Sequence, residues 1–419
     1  MRNLPIIMLS MSRWDGALSS AAYALAKELA KHNQVFYLDY PYTIKEFVAE
    51  RHTDAVKRRR DAILYQKSIY RQVPNLPENF VAVTPSMTLS FDFLPPGPAY
   101  ELASYVNNQI LHKTIRAILH DYQLDRFILF NSFNPFYVAQ VLRDVTPDLY
   151  VYQARDDIRA IDALRKHGPK QERKVLRHAD LLLATSTNLK RVLERESGRP
   201  VHLLPNAAQT ALFQTALHAF PVPAELEGNT RKVIGFIGNL EGRNDFALLE
   251  KVIRHHTDKL FLFIGPYEYQ QSTSTDFHAF ENVLFVGPKP LEALPQYLHF
   301  MDCTIIPFQK NDFTRSIYPL KLNEQLAAGK AIVTTNFSED LAPFRDVIYL
   351  AESHDDFVKM LNDAVAPADE MQVRQRVQRA QGNSWAHRVE LFWQLVEQTQ
   401  AVPDVAGRPV LAPHELLPH

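Results

Sequence analysis

Short apolar runs recur along this chain, each followed by a longer segment of helical period, and that alternation is what most narrows its fold. In the first half the strand-like runs are PIIMLS, QVFYLDY, NFVAVTP, RFILFNS, LYVYQA and DLLLATS. After Pro205 the pattern starts again with KVIGFIG, KLFLFIG, VLFVG, CTIIPF, KAIVTT and DVIYLA. Runs of this length separated by amphipathic helices imply parallel strands joined by crossover helices. The segment Ser19–Lys31, with Ala22, Leu25, Ala26 and Leu29 on one face, is such a helix. At 419 residues the chain exceeds what one hydrophobic core organises. The expectation is therefore α/β: two Rossmann-like doubly wound domains in tandem, facing across a cleft onto which their strand C-termini open.

The boundary falls at VHLLPNAAQTALF, where Pro205 and Asn206 stop regular structure. Residues 1–205 are assigned to the first domain and 206–383 to the second. Residues 384–400, with Trp385, Val389, Phe392 and Val396 at helical spacing, form a closing helix, and 401–419, with four prolines, an extended tail.

Net charge is −1, so there is no global basic field and nucleic acid is excluded as a partner. The one cysteine, Cys303, rules out an internal disulfide and a cysteine-built zinc cage. Histidine shows no HxxxH or HExxH spacing, so neither a metal nor another cofactor is expected. The N-terminus lacks the apolar length and cleavage site of a signal peptide, and no run reaches about 18 apolar residues, which points to a cytoplasmic protein. One basic stretch, TIKEFVAERHTDAVKRRRDAILYQKSIYRQ, carries Lys57, Arg58, Arg59 and Arg60 amid apolar residues. As a basic amphipathic helix it would lie against an anionic membrane face; as an ordinary solvated face it would not.

Four stretches carry chemistry. In YPLKLNEQLAAGKAIVTT, Pro319 suits a first helical turn, Leu322 and Leu326 face inward, and Gly329 ends the helix. Lys321 then stands in the first turn, where the macrodipole disfavours a cation unless an anion compensates. A phosphate against the amides of Tyr318 to Lys321 would resolve the conflict, with Glu324 accepting from ribose hydroxyls; a solvated Lys and Glu is the plainer reading. In GFIGNLEGRND, Gly238, Asn239 and Arg243 sit at a strand-to-helix turn, where a glycine admits a ligand to the backbone and an arginine grips a diphosphate. It is neither GxGxxG nor a Walker loop. In MSRWDGALSS, Trp14, Asp15 and Gly16 follow the first strand; Asp15 is either a base for an acceptor hydroxyl or a helix-entry acid. In VYQARDDIRAI, Arg155, Asp156 and Asp157 follow a strand and serve either as base and hydroxyl ligand or as a helix cap.

Taken in order, WDG, VYQARDD, LLPNAAQTALF, VIGFIGNLEGRND, LFIGP, NVLFVGPKPLEALPQYL, MDCTIIPF and YPLKLNEQLAAGKAIVTT resemble GT-B glycosyltransferases. More specifically they resemble the family-4-like group that builds bacterial polysaccharides, teichuronic-acid-type enzymes included. The resemblance runs from Ile6 to Gln398. It implies a nucleotide-sugar-binding second domain, with Glu324 on the ribose and Arg243 on the diphosphate, and an acceptor-binding first domain contributing Trp14 and Gly16. It also implies a closing helix that crosses back to the first domain. The expected activity is metal-independent transfer of a sugar to a glycan or lipid-linked acceptor in cell-surface polysaccharide biosynthesis, with Asp15 and Asp156 the candidates for acceptor activation. A nucleotide-sugar epimerase and a non-catalytic two-domain binding protein are the alternatives. The chain departs from the retaining pattern of two glutamates eight apart, since Ser316 holds the first position, and Gln153 stands where relatives often carry an acid.

Overall fold

A computed structural model describes residues 1–16, 20–138, 143–268 and 272–401. The chain divides into two compact units: Met1–Leu204 together with the segment from Val389 onward, and Pro205–Arg388.

The first unit holds β1 (Ile6–Ser10), β2 (Val35–Leu38), β3 (Tyr70–Gln72), β4 (Phe80–Val83), β5 (Ile128–Ser132), β6 (Leu149–Ala154), β7 (Leu181–Ala184) and β8 (His202–Leu203). Their order is β3-β4-β2-β1-β5-β6-β7-β8, parallel throughout except where β3 pairs antiparallel with β4. Its helices are α1 (Ala21–Leu29), α2 (Ile44–Ala49), α3 (Asp54–Tyr65), α4 (Pro98–Asp121), α5 (Gly168–His178) and α6 (Thr187–Ser197). Ser20 caps α1 by accepting from the Tyr23 amide at 3.1 Å, while Ser19 lies outside the described residues. Ala22, Leu25, Ala26 and Leu29 are buried, as the helical period requires.

The basic stretch is not one helix. Thr43 caps α2 in a capping box with Glu46, Thr53 caps α3, and the last residues form β3. Each threonine offers its hydroxyl to the backbone and so restarts the helix instead of continuing it. Edge strand β3, three residues long and largely exposed, has too little apolar alternation to announce itself in sequence.

The second unit contains α7 (Thr210–Gln214), β9 (Lys232–Ile237), α8 (Phe246–His255), β10 (Lys259–Ile264), β11 (Val283–Gly287), α9 (Leu294–Phe300), β12 (Cys303–Ile306), α10 (Leu320–Ala327), β13 (Ala331–Thr335), β14 (Tyr349–Ala351), α11 (His354–Ala364) and α12 (Glu370–Gln381). The sheet is wholly parallel, in the order β11-β10-β9-β12-β13-β14. Strands buried on both faces read as unbroken apolar runs: Phe261 and Phe263 enter the core under α8 and α11, and Leu262 and Ile264 the core under α9 and α10.

The closing helix α13 (Trp385–Ala401) spans the division. At its start Arg388 donates to the Pro205 carbonyl at 3.0 Å, and Ser384 bridges Ala208. Further on, Phe392 lies 5.4 Å from Phe130 of β5, and Glu390 and Glu397 both accept from Arg2. Ala401 is still helical; the tail beyond it lies outside the described residues. Among the described residues, no helix is long and apolar enough to cross a membrane.

Candidate functional site

Parallel strands point their carbonyl ends the same way, so the loops after them gather on one edge of the sheet. In the second unit the loop after β9 is tied to the chain leaving β12. The Asp245 amide donates to Pro307 O at 2.7 Å, and the Gln309 amide to Arg243 O at 2.9 Å. Gly238 opens that loop at φ 138°, and Gly265, after β10, sits at φ 139°. A Cβ on Gly265 would fall 2.1 Å from the Gly238 carbonyl oxygen, so at this crossing two backbones touch where no side chain fits.

Pro319 is the N-cap of α10 and not its first residue, and Lys321 occupies the second helical position. The Lys321 ammonium lies 4.5 Å from the centre of the Phe236 ring and 5.1 Å from that of Phe308. A Cβ on Gly238 would come within 2.5 Å of it. Among the described residues it has no hydrogen bond and no ion pair. Burial, with Arg243 nearby, pushes its pKa down to about 7, against the pull of Glu324 and Glu241. One turn on, Glu324 is only 9% exposed, its carboxylate makes no hydrogen bond among the described residues, and burial pushes it up to about 7 despite Lys321. A cation at a helix start and a carboxylate beside it, both short of partners, suit a ligand carrying an anion and hydroxyls. The helix closes at Gly329, φ 71°, where the Lys330 amide reaches back to Gln325 O at 3.1 Å.

Arg243 is already matched. Its guanidinium pairs with Glu241 and lies 5.6 Å from the Phe313 ring, while its Nε is buried without a partner among the described residues. Asn239 donates to Glu241 at 2.9 Å and Glu268 at 3.2 Å, and its buried Oδ1 has no partner among the described residues. Tyr318 belongs to the core, its hydroxyl bonded to Asn323 and its carbonyl accepting from Asn206 at 3.0 Å. Ser316 is fully buried. Neither side chain presents itself as a donor ligand, so of the stretch 316–324 it is the helix start, Lys321 and Glu324 that remain. A cavity of about 500 Å³ opens elsewhere in this unit, lined by Asp245, Lys310, Thr335, Glu352 and His354 among others. None of the expected donor residues lines it; a hydrogen bond of 2.8 Å between His354 Nε2 and Asp245 Oδ2 lies there instead.

In the first unit Asp15 is bound on both oxygens. Arg59 donates to Oδ1 at 2.6 Å and to Oδ2 at 2.8 Å, and Arg58 donates to Oδ2 at 2.7 Å. Burial raises the Asp15 pKa, but the two arginines outweigh it and hold the carboxyl below its usual range. A carboxylate so held is a poor proton acceptor, which argues against the expectation that Asp15 is the base. Arg59 is buried and also donates to Asp39 at 2.7 Å; burial pushes Asp39 upward, against that arginine. Asp39 Oδ1 in turn accepts from the Trp14 amide at 3.0 Å, and the Trp14 ring lies 5.4 Å from the Arg59 guanidinium. Gly16 is exposed and its amide donates to Arg13 O at 3.2 Å. Asp156, partly exposed after β6, stands beside Arg155, whose pKa burial lowers and Asp156 raises. Asp157 instead turns to Arg159, accepting from its amide at 3.0 Å and its guanidinium at 3.1 Å.

Residues 231–366 match the family Glycosyl transferases group 1. Sucrose-phosphate synthase from Thermosynechococcus elongatus superposes with a TM-score of 0.67 at 13% identity, over 95% of this chain and all of that one. The fold is GT-B. An α,α-trehalose-phosphate synthase (UDP-forming) from Burkholderia vietnamiensis gives 0.64 at 13% identity over 96% of this GT-B chain and 99% of its own. The structure of trehalose-6-phosphate from E. coli bound with UDP-2-fluoro glucose gives 0.61 at 12% identity over 95% and 99%. In sequence, the putative teichuronic acid biosynthesis glycosyltransferase TuaH of Bacillus subtilis (strain 168) is 30% identical over 176 residues. That stretch is 41% of this chain and 44% of the relative, so the match spans less than half the relative's length.

Within the GT-B chain, sequence reasoning missed Glu241 as the partner of Arg243 and Asp39 as the second partner of Arg59. Glu241 stands two residues before Arg243, a spacing that invites an ion pair across a turn. Asp39 gives no local signal, because its arginine is 20 residues away.

Proposed function

We propose that this protein transfers a sugar from a nucleotide-diphosphate donor to a hydroxyl of a glycan or lipid-linked acceptor, in cell-surface polysaccharide biosynthesis. The observation that carries this reading is the start of α10, where, among the described residues, the Lys321 ammonium has no carboxylate in contact and the Glu324 carboxylate has no hydrogen bond. The diphosphate lies against the first-turn amides and Lys321, and Glu324 accepts from the ribose hydroxyls. As the sugar leaves, negative charge grows on the diphosphate, and a fixed dipole with a nearby cation lowers the energy of that charge more than that of the neutral bond. Arg243 adds to this when the diphosphate draws it from Glu241. The cations replace the divalent metal that would otherwise neutralise the leaving group, so transfer proceeds in a metal chelator.

Asp156 activates the acceptor hydroxyl. Asp15 acts through Arg58 and Arg59 as a positioning residue, shaping the loop of Trp14 and Gly16 that meets the acceptor. We place the protein in the cytoplasm, at the inner face of the membrane. With Arg59 withdrawn into the core, the basic run offers that face only Lys57, Arg58 and Arg60, at about 1 kcal/mol each, and Arg58 is shared with Asp15.

Isothermal titration with UDP, GDP and dTDP, with and without a chelator, tests the reading. One of them binds, Lys321→Met weakens it at least about tenfold by loss of a charge-assisted contact, and the chelator leaves it unchanged. Absence of binding by all three overturns the donor site.

A further inference from the structure

The cavity of about 500 Å³ in the second unit is lined by none of the residues assigned to the donor, yet it stands on the same sheet. Its floor is the carboxyl edge of three neighbouring strands: Thr335 ends β13, Glu352 follows β14, and Gln309 and Lys310 come after β12. Asp245, the N-cap of α8, stands at one side, and His354, the first residue of α11, at the other. Open α/β sheets take ligands beyond the carboxyl ends of their strands, and the volume falls within the ~300–1,000 Å³ of small-molecule sites.

The lining restricts what can fill it. All but one of the described lining side chains are polar, and the charged ones already have company. The Lys310 ammonium donates to the Glu352 carbonyl at 2.7 Å and lies 3.5 Å from Glu352 Oε2. Asp245 accepts from the Leu248 amide on Oδ1 at 2.9 Å and holds His354 Nε2 at 2.8 Å from Oδ2. A charged ligand must break one of these contacts to gain its own; a neutral one need not. Nor are the acids gathered for a metal, since among the described residues no three His, Cys, Asp or Glu side chains are placed to hold one.

What stays open is a mixture of donors and acceptors. Lys310 keeps further N–H groups, Glu352 Oε2 and, among the described residues, His354 Nδ1 make no hydrogen bond, and the Thr335 hydroxyl, whose proton goes to Phe308 O at 2.5 Å, keeps its lone pairs. Interleaved donors and acceptors suit adjacent hydroxyls on a sugar ring, each of which donates once and accepts twice. One wall also reaches the donor loop. The Gln309 side chain donates to Gly242 O at 3.2 Å and Asn244 O at 3.1 Å, and its amide donates to Arg243 O at 2.9 Å. A ligand packed against Gln309 therefore restrains Arg243 and both its neighbours.

We propose that this cavity is a second carbohydrate site, which takes one or two neutral sugar rings and, through Gln309, restrains the donor loop around Arg243. The site follows from the chemistry of its lining and not from the proposed reaction, so either can fail without the other.

The test is saturation-transfer NMR of the whole chain with glucose, N-acetylglucosamine, maltose and glucuronate, with inorganic phosphate added as a competitor. A neutral sugar binds with a dissociation constant on the order of 1 mM, as a few hydrogen bonds sustain; glucuronate binds several-fold more weakly, and phosphate displaces nothing. Tighter binding of maltose identifies the end of a glycan as the occupant, and equal binding a free monosaccharide. The Glu352 and His354 side chains are 62% and 42% exposed, so alanine at either position leaves the fold intact. Glu352→Ala and His354→Ala each weaken the sugar at least about tenfold; if one variant fails to fold, the other reads the site alone. Lys321→Met leaves sugar binding unchanged, and hydrogen exchange of amides 242–245 slows when the sugar is added. The proposal is overturned if no neutral sugar binds, if phosphate displaces the sugar, if the folded alanine variants bind it as wild type does, if Lys321→Met abolishes binding, or if exchange at 242–245 stays the same with sugar bound.

Discussion

Lys321 and Glu324 stand one turn apart on α10, and burial pulls each toward its neutral form near pH 7. A depressed lysine withholds stability as pH falls from 10.5 toward about 7, and a raised glutamate withholds it as pH rises from 4.5 toward about 7. Both slopes descend to the same place. The unliganded protein is therefore expected to show a stability minimum near neutrality relative to a Lys321→Met, Glu324→Gln variant. Thermal melts of both from pH 5 to 10 measure it; parallel curves would show that the pair stays fully charged.

Glu241 holds Arg243 away from a ligand, so relieving it should favour the diphosphate. Glu241→Gln is expected to tighten UDP several-fold, by about 1 kcal/mol, and UMP much less, since a charged contact gains with the second phosphate. Titration of both nucleotides against wild type and variant compares the two gains. An equal gain for UMP would refute the assignment of Arg243 to the diphosphate.

At Gly238 the backbone has φ 138°, and a Cβ would meet the Lys321 ammonium. Gly238→Ala is expected to cost about 1–3 kcal/mol in stability from the strained backbone and to weaken nucleotide binding by displacing Lys321. Urea unfolding and calorimetry read the two effects separately, and an unchanged nucleotide affinity would detach this glycine from the site.

Arg59 is the only cation the buried Asp39 carboxylate touches within 4 Å among the described residues. Arg59→Ala leaves that carboxylate uncompensated and is expected to cost about 3–5 kcal/mol, whereas an Arg59→Ala, Asp39→Asn double variant recovers part of it. Equilibrium unfolding of wild type, both single variants and the double variant gives the coupling directly. A coupling energy near zero would mean the pair contributes nothing to the unit.

The sheets were legible because strands buried on both faces must be apolar throughout, as in KVIGFIG and KLFLFIG, and chains of that kind have few alternative uses. Strand β3 was not, because an exposed edge imposes no pattern. The limits of α10 were readable from Pro319 and Gly329, and the misplaced cation from Lys321, since capping and the macrodipole act within one turn. What the four-cation run would do was not readable. Helical spacing separates Arg59 from Arg58 and Arg60 by 100° a step, but which of them turns inward depends on Asp15 and Asp39, which arrive from other loops.

The sequence by itself determined two largely parallel α/β sheets, the order of their main strands along the chain, and the residues that stand at helix starts and turns, because these follow from hydrophobic period and local backbone preference. Only the tertiary structure decided which charges are free. It gave Arg243 to Glu241, Arg59 to Asp39 and Asp15, and Tyr318 to the core, and it left Lys321 and Glu324 short of partners. The reason is that charge pairing depends on distances of a few ångströms between segments far apart in the chain, and no local pattern of residues encodes those distances.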